Sequence, residues 1–585
     1  MFVTEKSNGF SIKAYQGDAK TLLAFSLLKS QIKLLAGFTI RCQPGTKRPF
    51  YLYNKLQFKY PEKHAQNINE PVYSTINAPI QKFRWLHVAG NFHQEDEVFY
   101  GPYTYTVTPR YFDTKGLLQT IDLSLSLSVT ITVQPFLQGN LELGFTRGFV
   151  QSQAFENHFG KKAILRPAGK ELVFDTDSIA GKNNDGIEYT FKDEFTWSGF
   201  TAREKIFNIL NEVQNDSSLS LDVFAYDLNE PDIIKAFLNL AKEGRIRILL
   251  DNAPLHHNKT IPKPEDVFEE QFNMVVTEPA MIIRGKFSRF QHNKVFIIRK
   301  DWEALKVLCG STNFSVTGVY VNSNHVLVFN DKTIATLYEN VFNESWDDKL
   351  NGPKFRASEW SNSFSFRGNG LPKMKISFAP HTDAGPELNA IATRVSKEKS
   401  SVFFAVMEVD KSSGPIFPAL KKLHENVDIF SYGISDSTTD IFLYKPTSRQ
   451  GIKVTGKSAK VILPPPFNKE AGIGLGHQIH HKFVVCGFNT SKAVLWCGSS
   501  NLALLGEQEN GDSLLEIADT DIATVFAMEA LALVDHFHFR DSNMEIVAAT
   551  KQAVKRPIYL NINNIWALSY YNKNDLHYVD RELFK

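Results

Sequence analysis

The chain has 585 residues, which is too many for one hydrophobic core, so roughly two to four domains are expected. Hydrophobic residues make up 43% of the sequence and aromatic residues 12%, which excludes a largely disordered chain. The formal net charge is +2, so the sequence lacks the strong overall positive charge typical of many nucleic-acid-binding proteins.

The sequence also lacks the patterns of exported and membrane-spanning proteins. Its first ten residues do not form a signal peptide, and no stretch reaches the roughly 18 apolar residues that a transmembrane helix needs. The cysteines show neither disulfide nor zinc-site spacing; they are Cys42, Cys309, Cys486 and Cys497. We therefore expect a cytoplasmic protein with no transmembrane segment.

Residues 1–155 are predicted to form an all-β, sandwich-like domain. Apolar and polar residues alternate along Ile121–Val133, as in a long strand with one buried face and one solvated face. Gly, Pro and Asn residues flank this segment, as expected for turns. No chemical motif occurs in the region, so we expect a targeting, assembly or substrate-presenting role, with a protein partner as one option.

The next two regions, residues 156–350 and 351–545, each show a β-α-β pattern. Each pattern consists of a strand, a helix and a second strand: Leu219–Tyr226, Asp232–Glu243 and Ile246–Leu250, then Ser401–Val406, Pro415–His424 and Val427–Tyr432. This order predicts two α/β halves, each with a parallel or mixed sheet covered by helices. Two similar halves in series indicate a duplication, followed by a C-terminal tail at residues 546–585.

A motif repeated in the two halves supports the duplication. The first copy contains His292, Lys294, the segment Cys309–Asn313 and the segment Asn322–Asn324. The second copy contains the matching residues His480, Lys482, Cys497–Asn501 and Asn510–Asp512. Every matched pair has the same separation along the chain, which we call the repeat offset, and no gap is needed. The repeat is therefore a strong signal.

The residue types in the repeat indicate phosphate chemistry. A His and a Lys two residues apart on a strand point to the same face, and the Ser and Asn that follow the Gly are also two apart. If the halves face each other, two imidazoles, two ammonium groups, two hydroxyls and two amides surround one phosphate. One His can then attack phosphorus while the other protonates the leaving oxygen, and the lysines stabilise the charged oxygens without a metal.

The repeat resembles the mark of the phospholipase D superfamily, His-x-Lys followed by Gly-Ser-x-Asn and given twice. The resemblance covers roughly residues 200–540. It implies two α/β halves related by a pseudo-twofold axis, with one site at their junction and a phosphohistidine intermediate. The implied catalytic residues are His292, Lys294, Asn313, His480, Lys482, Asn501 and Asp512, with His292 as nucleophile and His480 as general acid.

A second set of residues is predicted to bind substrate. Its members are Arg289, Ser311, Asn322, Asn324, His477, Ser499 and Asn510. Arg289 and His477 occupy equivalent positions, one repeat offset apart, just before the two motif histidines. We expect no metal and no cofactor, because the lysines supply the positive charge.

Two pairs of equivalent positions depart from the family pattern or from simple symmetry. The family has Asp five residues after the motif Lys, where this chain has Arg299 and Gly487. Tyrosyl-DNA phosphodiesterases also lack this Asp, so the departure is compatible with activity, although it weakens the case for a phospholipid enzyme. Asn324 in the first half matches Asp512 in the second, so the two histidines are expected to differ in pKa and role.

Three functions remain open at this point. The favoured one is a metal-independent nuclease or other phosphodiesterase acting on DNA or RNA. By analogy with bacterial phospholipase-D-like proteins, which the segment around 479–512 resembles, this would suit defence or repair. The alternatives are a phospholipase or transphosphatidylase acting on phospholipids, and a binding module with an inactive site.

Overall fold

The structure is a computed structural model. It describes residues 1–90, 98–148, 152–160, 162–169, 171–301, 303–409, 414–423, 426, 429–435, 442–445, 448–453, 479–542, 544–547, 552–555 and 558–585.

The N-terminal region is a β-sandwich of two antiparallel four-stranded sheets. Its strands are β1 (Phe2–Ser7), β2 (Phe10–Gln16), β3 (Lys20–Leu27), β4 (Leu35–Pro44), β5 (Phe50–Tyr51), β6 (Arg84–Val88), β7 (Gly101–Tyr111) and β8 (Leu127–Val133). The sheets have the orders β1-β2-β3-β6 and β5-β4-β7-β8. Apolar residues of β2 and β3 pack against those of β4, β7 and β8, so one core lies between the sheets. The expected all-β N-terminal region is confirmed.

The alternating segment forms a shorter strand than the sequence predicted. Alternate side chains of β8 are buried from Val129 to Val133, as expected, and the outward Thr130 hydroxyl bonds to Thr104 on β7. Residues 121–126 are not part of the strand. The Asp122 side chain accepts a hydrogen bond from the Ser124 N–H and caps a 3₁₀ turn, Leu123–Leu125, which replaces the ladder there.

A mixed eight-stranded sheet forms the first half. Its strands are β9 (Leu137–Gln138), β10 (Leu141–Phe145), β13 (Leu219–Ala225), β14 (Ile246–Asp251), β15 (Met281–Gly285), β16 (Val295–Lys300), β17 (Glu303–Gly310) and β18 (His325–Phe329), while β11 (Ile179–Lys182) and β12 (Glu188–Thr190) form a hairpin. The order is β15-β14-β13-β16-β17-β18-β10-β9. Pairing is parallel only between β13, β14 and β15.

A seven-stranded sheet forms the second half. The remaining strands are β19 (Ser363–Gly368), β20 (Leu371–Ala379), β21 (Ser401–Val406), β22 (Phe430–Ser435), β23 (Phe442–Lys445), β24 (Ser448–Lys453), β25 (Lys482–Cys486), β26 (Val494–Gly498), β27 (Asp512–Ala518), β28 (Met544–Val547) and β29 (Gln552–Lys555). The order is β19-β20-β27-β26-β25-β21-β22. Read from β22, this order reproduces the first sheet from β14 to β9, with the same parallel and antiparallel pairings. The predicted pair of α/β halves is confirmed.

Helices cover the two sheets and close the chain. They are α1 (Ser152–Phe159), α2 (Phe191–Asn215), α3 (Pro231–Lys242), α4 (Pro264–Val275), α5 (Lys332–Asp347), α6 (Gly352–Ala357), α7 (Gly385–Ser396), α8 (Ile416–Leu423), α9 (Leu504–Glu509), α10 (Thr520–Ser542), α11 (Ile565–Leu568) and α12 (Leu576–Phe584). Helices α5 and α10 begin at equivalent positions of the repeat, and the carboxylates of Asp331 and Asp519 accept hydrogen bonds from N–H groups of their first turns. The repeat therefore extends beyond the repeated motif into the following helix.

The domain boundaries predicted from the sequence differ at two places from the boundaries that the sheets and their packing show. Strands β9 and β10 precede residue 155 but extend the sheet of the first half, where β10 pairs with β18. The C-terminal segment packs on other parts of the protein: Tyr570 joins the sandwich core, and the Phe584 ring contacts Tyr15 and Phe430. The three parts of the protein are thus joined by shared elements as well as by linkers.

None of the helices within the described parts of the chain is long and apolar enough to cross a membrane.

Candidate active site

Two backbone contacts join the halves beside the motif histidines. Gln291 forms a parallel bridge with Gly511, and Ser323 forms one with Ile479. The N–H of His292 donates to the Gly511 carbonyl at 2.9 Å, and the N–H of His480 donates to the Ser323 carbonyl at 3.2 Å. Each bridge joins the positions equivalent to those of the other bridge, with the halves exchanged, as a pseudo-twofold axis between the halves requires.

The side chains of the two histidines also pair across this junction. The Nδ1 atom of His292 lies 2.7 Å from Asp512 Oδ1, and the Nδ1 atom of His480 lies 2.8 Å from Asn324 Oδ1. A carboxylate only accepts hydrogen bonds, so Nδ1 of His292 carries the proton and Nε2 has a free lone pair. Both imidazoles are deeply buried, at 4% and 5% exposure. Each half therefore orients the histidine of the other.

The amide of Asn324 has a fixed orientation. Its Nδ2 donates to the Gly318 carbonyl at 2.9 Å, and its Oδ1 accepts from the Ser311 hydroxyl at 2.8 Å. Oδ1 is therefore the atom that faces His480, so Nδ1 of His480 is a donor. Asp512 and Asn324 thus contact the same nitrogen, Nδ1, of the two imidazoles, but only Asp512 brings a negative charge.

The two motif lysines lie beside their own histidines. Lys294 Nζ donates to the His292 carbonyl, and Lys482 Nζ donates to the His480 carbonyl at 2.6 Å while lying 3.1 Å from Nδ1 of the same histidine. Lys294 also lies 4.5 Å from the centre of the Tyr226 ring, a cation–π contact. Both lysines are essentially inaccessible to solvent, so two basic groups are held at the junction without bulk water.

Burial shifts the pKa values on the His292 side. Desolvation and the charge of Lys294 outweigh the opposing effect of Asp512 and lower the pKa of His292 to about 4. Desolvation also lowers the pKa of Lys294 to about 7, although Asp512, Asp227 and Asp251 oppose that shift. His292 is therefore neutral at neutral pH, as a nucleophile must be.

The predicted serines and amides line the same junction. The Ser311 and Ser499 hydroxyl oxygens each accept a backbone N–H, from His325 at 3.0 Å and from Ser513 at 2.9 Å. The Asn510 amide donates to Asp512 Oδ2 at 3.2 Å. The Oδ1 atoms of Asn313 and Asn501, which are equivalent positions, are both buried without a hydrogen-bond partner among the described residues.

The remaining predicted residues have different surroundings. Asn322 is buried, and its carbonyl accepts the Thr146 hydroxyl at 2.6 Å. Arg289 is exposed, and its guanidinium lies 4.9 Å from the Phe290 ring centre. The backbone N–H of Arg289 donates to the Glu509 carbonyl. His477 falls outside the residues that the structure describes.

The two positions that depart from the family pattern have structural roles. Arg299 is buried, and its guanidinium forms ion pairs with Asp222 at 2.9 Å and Glu339 at 3.8 Å, behind the strand that follows His292. Gly487 has a φ of +71°, a backbone conformation that favours glycine over aspartate. Neither position takes part in the contacts of the histidines.

The sequence analysis missed a group of residues beside His292. Asp227 and Asp251 lie at the carboxyl ends of the neighbouring strands β13 and β14, and the Tyr226 ring centre lies 4.7 Å from that of His292. The signal was available, since residues at the carboxyl ends of adjacent parallel strands meet at one edge of a sheet. These side chains form the wall of the site next to Lys294.

Part of this wall is a possible set of metal ligands that the sequence analysis did not identify. One ligand atom each from Asp227, His256 and Glu265 lies within 4.8 Å of the others. Asp251 accepts from His256 Nδ1 at 2.9 Å and, with the neighbouring carboxylates, outweighs burial and raises the pKa of His256. The group thus places one imidazole among the carboxyl groups of Asp227, Asp251 and Glu265, and burial raises the pKa of Glu265 to about 7.

The chemistry of this arrangement follows from its polarity. One buried imidazole is neutral, is oriented by a carboxylate and has a free Nε2. The other is oriented by a neutral amide, which adds no charge that would stabilise the imidazolium. Two ammonium groups flank them. Such a site can bring a nucleophile and a proton donor to one phosphate.

One protein family matches part of the chain. The family described as "Cardiolipin synthase, PLD-like domain" matches residues 210–346, which include the first motif copy. This chain contains a domain of the phospholipase D superfamily. No curated protein matches the chain.

Several solved structures resemble the fold at low sequence identity. Polyphosphate kinase from Porphyromonas gingivalis is 12% identical over 63% of this chain, with a TM-score of 0.40, and the match spans only 54% of the kinase. Phosphatidylserine synthase from Haemophilus influenzae is 13% identical, with 58% of this chain and 84% of that chain covered and a TM-score of 0.38. Nuc from Salmonella typhimurium, a phospholipase D family member, is 20% identical, with 24% and 86% covered and a TM-score of 0.20.

Proposed function

We propose that the protein is a metal-independent phosphodiesterase that cleaves DNA or RNA through a phosphohistidine intermediate. The observation that carries this proposal is the crossed pairing of His292 with Asp512 and of His480 with Asn324. The pairing orients two imidazoles from opposite halves and gives them different electrostatic environments. A nucleophile and a general acid require such a difference.

The first step uses both histidines. Nε2 of His292 forms a bond to phosphorus with its free lone pair, and the bond between phosphorus and the leaving oxygen breaks. Nε2 of His480 transfers its proton to that oxygen. In the second step His480 takes a proton from water, the water oxygen attacks phosphorus, and the bond to His292 breaks.

The buried lysines stabilise the charge that develops on phosphate in both steps. In a site closed to bulk water their attraction for the phosphate oxygens is stronger than in solution. The Oδ1 atoms of Asn313 and Asn501 have no hydrogen-bond partner among the described residues, so the protein does not saturate these two amides. We infer that both amides turn their N–H donors to the phosphate when it binds.

The shape and charge of the surroundings favour a single-stranded nucleic acid. Both histidines are deeply buried, so the phosphodiester must be carried on a slender chain rather than on a rigid duplex. The segment leading into His292 presents the exposed cations Lys286 and Arg289 and the aromatic ring of Phe290. Cations for the phosphates and an aromatic ring for a base suit a single strand.

A second candidate is the transfer or hydrolysis of phospholipids. The matching family is described by the name of a cardiolipin synthase. Leu255 and Ile261, which are 57% and 70% exposed, flank the segment that carries His256 near the site. Exposed apolar side chains at the rim of a site suit a lipid surface, so phospholipid is the competing substrate in the test.

The test compares substrates and matched histidine variants. Purified protein is incubated with single-stranded DNA, RNA, duplex DNA, phosphatidylcholine vesicles and the activated diester bis(4-nitrophenyl) phosphate. We expect cleavage of single strands and of the activated diester, and its loss in His292→Ala but not in the control His577→Ala, whose histidine is exposed on α12. Cleavage of lipid alone selects the second candidate. No turnover of any diester would overturn both and indicate a binding module.

A further inference from the structure

The side of the junction that holds His480 contains a series of buried polar side chains that differs from the residues of the other side. Behind Ser311 lie His325 and His481, which are fully buried with stacked rings 5.5 Å apart. The equivalent positions of the repeat hold Ser513 and Asn293. The two buried histidines therefore belong to the His480 side alone, and the steps described above do not use them.

We propose that this buried series fixes the tautomer of His480 and so prepares it to act as the general acid; we name it the His480 support chain, and its members are Asn324, Ser311, His325, His481, Glu529 and Lys20. The proposal rests on the proposed function for its catalytic meaning, but the arrangement of protons can be measured without activity. Lys20 lies on β3, so the N-terminal sandwich contributes the last member.

The His480 support chain begins with a buried charge. Lys20 Nζ forms an ion pair with Glu529, and burial of this carboxylate is outweighed by Lys20 and His481, which lower the pKa of Glu529 to about 2. Glu529 is therefore ionised over the working pH range. Its second oxygen lies 3.6 Å from Nε2 of His481, an electrostatic contact that favours a proton on that nitrogen.

The proton positions then follow one from another. Burial lowers the pKa of both His481 and His325, which favours a single N–H on each of these two fully buried rings. With its proton on Nε2, His481 offers Nδ1 as an acceptor, and His325 Nδ1 lies 3.2 Å away. His325 must therefore donate from Nδ1, since two acceptors would repel each other.

The direction of the Ser311 hydroxyl is the next consequence. Ser311 Oγ lies 3.1 Å from Nδ1 of His325 and 2.8 Å from Oδ1 of Asn324. Because His325 Nδ1 carries a proton, it cannot accept from the hydroxyl, so the hydroxyl donates to Asn324. The hydroxyl thus holds the Asn324 carbonyl towards His480 together with the Gly318 contact of Asn324 Nδ2, and Nδ1 of His480 donates to that carbonyl at 2.8 Å. In the proposed mechanism, Nε2 of His480 carries the proton that the leaving oxygen receives.

The comparison with the other side explains why the charge is remote. His292 contacts a carboxylate directly, and the position equivalent to Glu529 in the first half is Val341. A carboxylate in direct contact with His480 would stabilise its imidazolium and make it a weaker acid. Placing a neutral amide in contact and the carboxylate several groups away fixes the orientation of His480 without that cost.

The kinetic test uses substitutions at three members of the His480 support chain and one matched control. Glu529→Gln keeps the shape and removes the charge, while His325→Ser and His481→Asn install the residues found at the equivalent positions. The control is Lys205→Met, which breaks the ion pair of another buried lysine, with Glu142, whose side chain is 25% exposed. Circular dichroism melting identifies any variant that fails to fold.

Two diesters separate a positioning role from a structural one. For a diester with an alkoxide leaving group, which needs a proton, we expect kcat to fall about 10-fold or more in Glu529→Gln and His481→Asn, since general acid catalysis contributes about 100-fold or more. For bis(4-nitrophenyl) phosphate, whose leaving group needs no proton, we expect less than about a 3-fold change. Equal losses on both diesters, or losses matched by Lys205→Met, would overturn the proposal.

Nitrogen-15 NMR of the imidazoles tests, without any substrate, whether the His480 support chain sets the tautomer of His480. With the His480 signals assigned through His480→Gln, the neutral form of His480 in the unaltered protein should be protonated at Nδ1, and Glu529→Gln and His481→Asn should show a mixture of tautomers. An unchanged tautomer in both variants would overturn the proposal. If the unaltered protein cleaves no diester, the proposed function fails, and this measurement still decides whether the chain sets the tautomer.

Discussion

The Nδ1 atom of His292 lies 2.7 Å from Oδ1 of Asp512, although 220 residues separate them in the sequence. The equivalent contact, between His480 and Asn324, has an amide in place of the carboxylate. The structure thus combines near-symmetric geometry with asymmetric charge. This asymmetry supports separate roles for the two histidines, and the predictions below depend on it.

The first prediction concerns the charge at these two positions. Asp512→Asn removes the carboxylate that orients His292, so we expect the rate of attack to fall about 100-fold or more on both alkyl and aryl diesters. Asn324→Asp places a carboxylate beside His480, stabilises its imidazolium and should slow alkyl diesters selectively. The measurement is single-turnover cleavage of both diesters by each variant.

The control for this pair is Asp185→Asn, an isosteric change on an exposed loop, which should leave both rates unchanged. If Asn324→Asp slowed aryl and alkyl diesters equally, or if Asp512→Asn affected the alkyl diester alone, the assignment of roles would be reversed or lost.

The second prediction is a pH profile. Burial lowers the pKa of His292 to about 4, so protonation of the nucleophile should reduce kcat/KM only as the pH falls towards that value. Burial lowers the pKa of Lys294 to about 7, so kcat/KM should also fall as the pH rises through 7 and this lysine loses its charge. Rates with bis(4-nitrophenyl) phosphate from about pH 3 to 9 give both limbs. An acidic limb near the ordinary histidine pKa would contradict the burial argument.

The third prediction concerns metals. Cleavage should survive dialysis against EDTA, because Lys294 and Lys482 hold positive charge where many nucleases hold an ion. Asp227, His256 and Glu265 have ligand atoms within 4.8 Å of one another, so this group is where a bound ion would be sought. His256→Gln should therefore leave the response to EDTA unchanged. Activity that disappears in EDTA and returns with magnesium or zinc would show that an ion is part of the site.

The fourth prediction concerns the contact between the halves. A Cβ atom added at Gly511 would collide with the ring of Phe287, which is buried against Phe355. We expect Gly511→Ala to lower the free energy of unfolding by about 1–3 kcal/mol, as overpacking does, and to displace the bridge to Gln291. Denaturant unfolding measures the effect. Gly169→Ala is the control, since its Cβ would meet no atom within 4 Å, and equal stabilities would contradict the prediction.

The sequence predicted the duplication and the motif residues because both are recorded as residue types at fixed spacing. The constant separation of the matched positions, from His292 and His480 onwards, identified the repeat. That spacing could not say which histidine receives the carboxylate of Asp512, because the two halves pair across their junction rather than within one repeat. The answer depends on how the halves close, which the local pattern does not encode.

Other features were missed for similar physical reasons. Strand β10 is only five residues long and follows an all-β region, so its pairing with β18 in the first half could not be separated from the sandwich. His325 and His481 belong to no motif, and their equivalents are Ser513 and Asn293. The significance of these histidines appears only when folding brings Glu529 and Lys20 behind them.

In the proposed mechanism, His292 attacks phosphorus while His480, from the other half, supplies the proton. The most direct measurement is the trapping of a phosphorus-32-labelled phosphohistidine from a labelled diester, followed by peptide mapping, in His292→Ala and His480→Ala. We expect no label in His292→Ala and, in His480→Ala with an activated aryl diester, label on the peptide that contains His292. Label on His480 in His292→Ala, with none in His480→Ala, would contradict it.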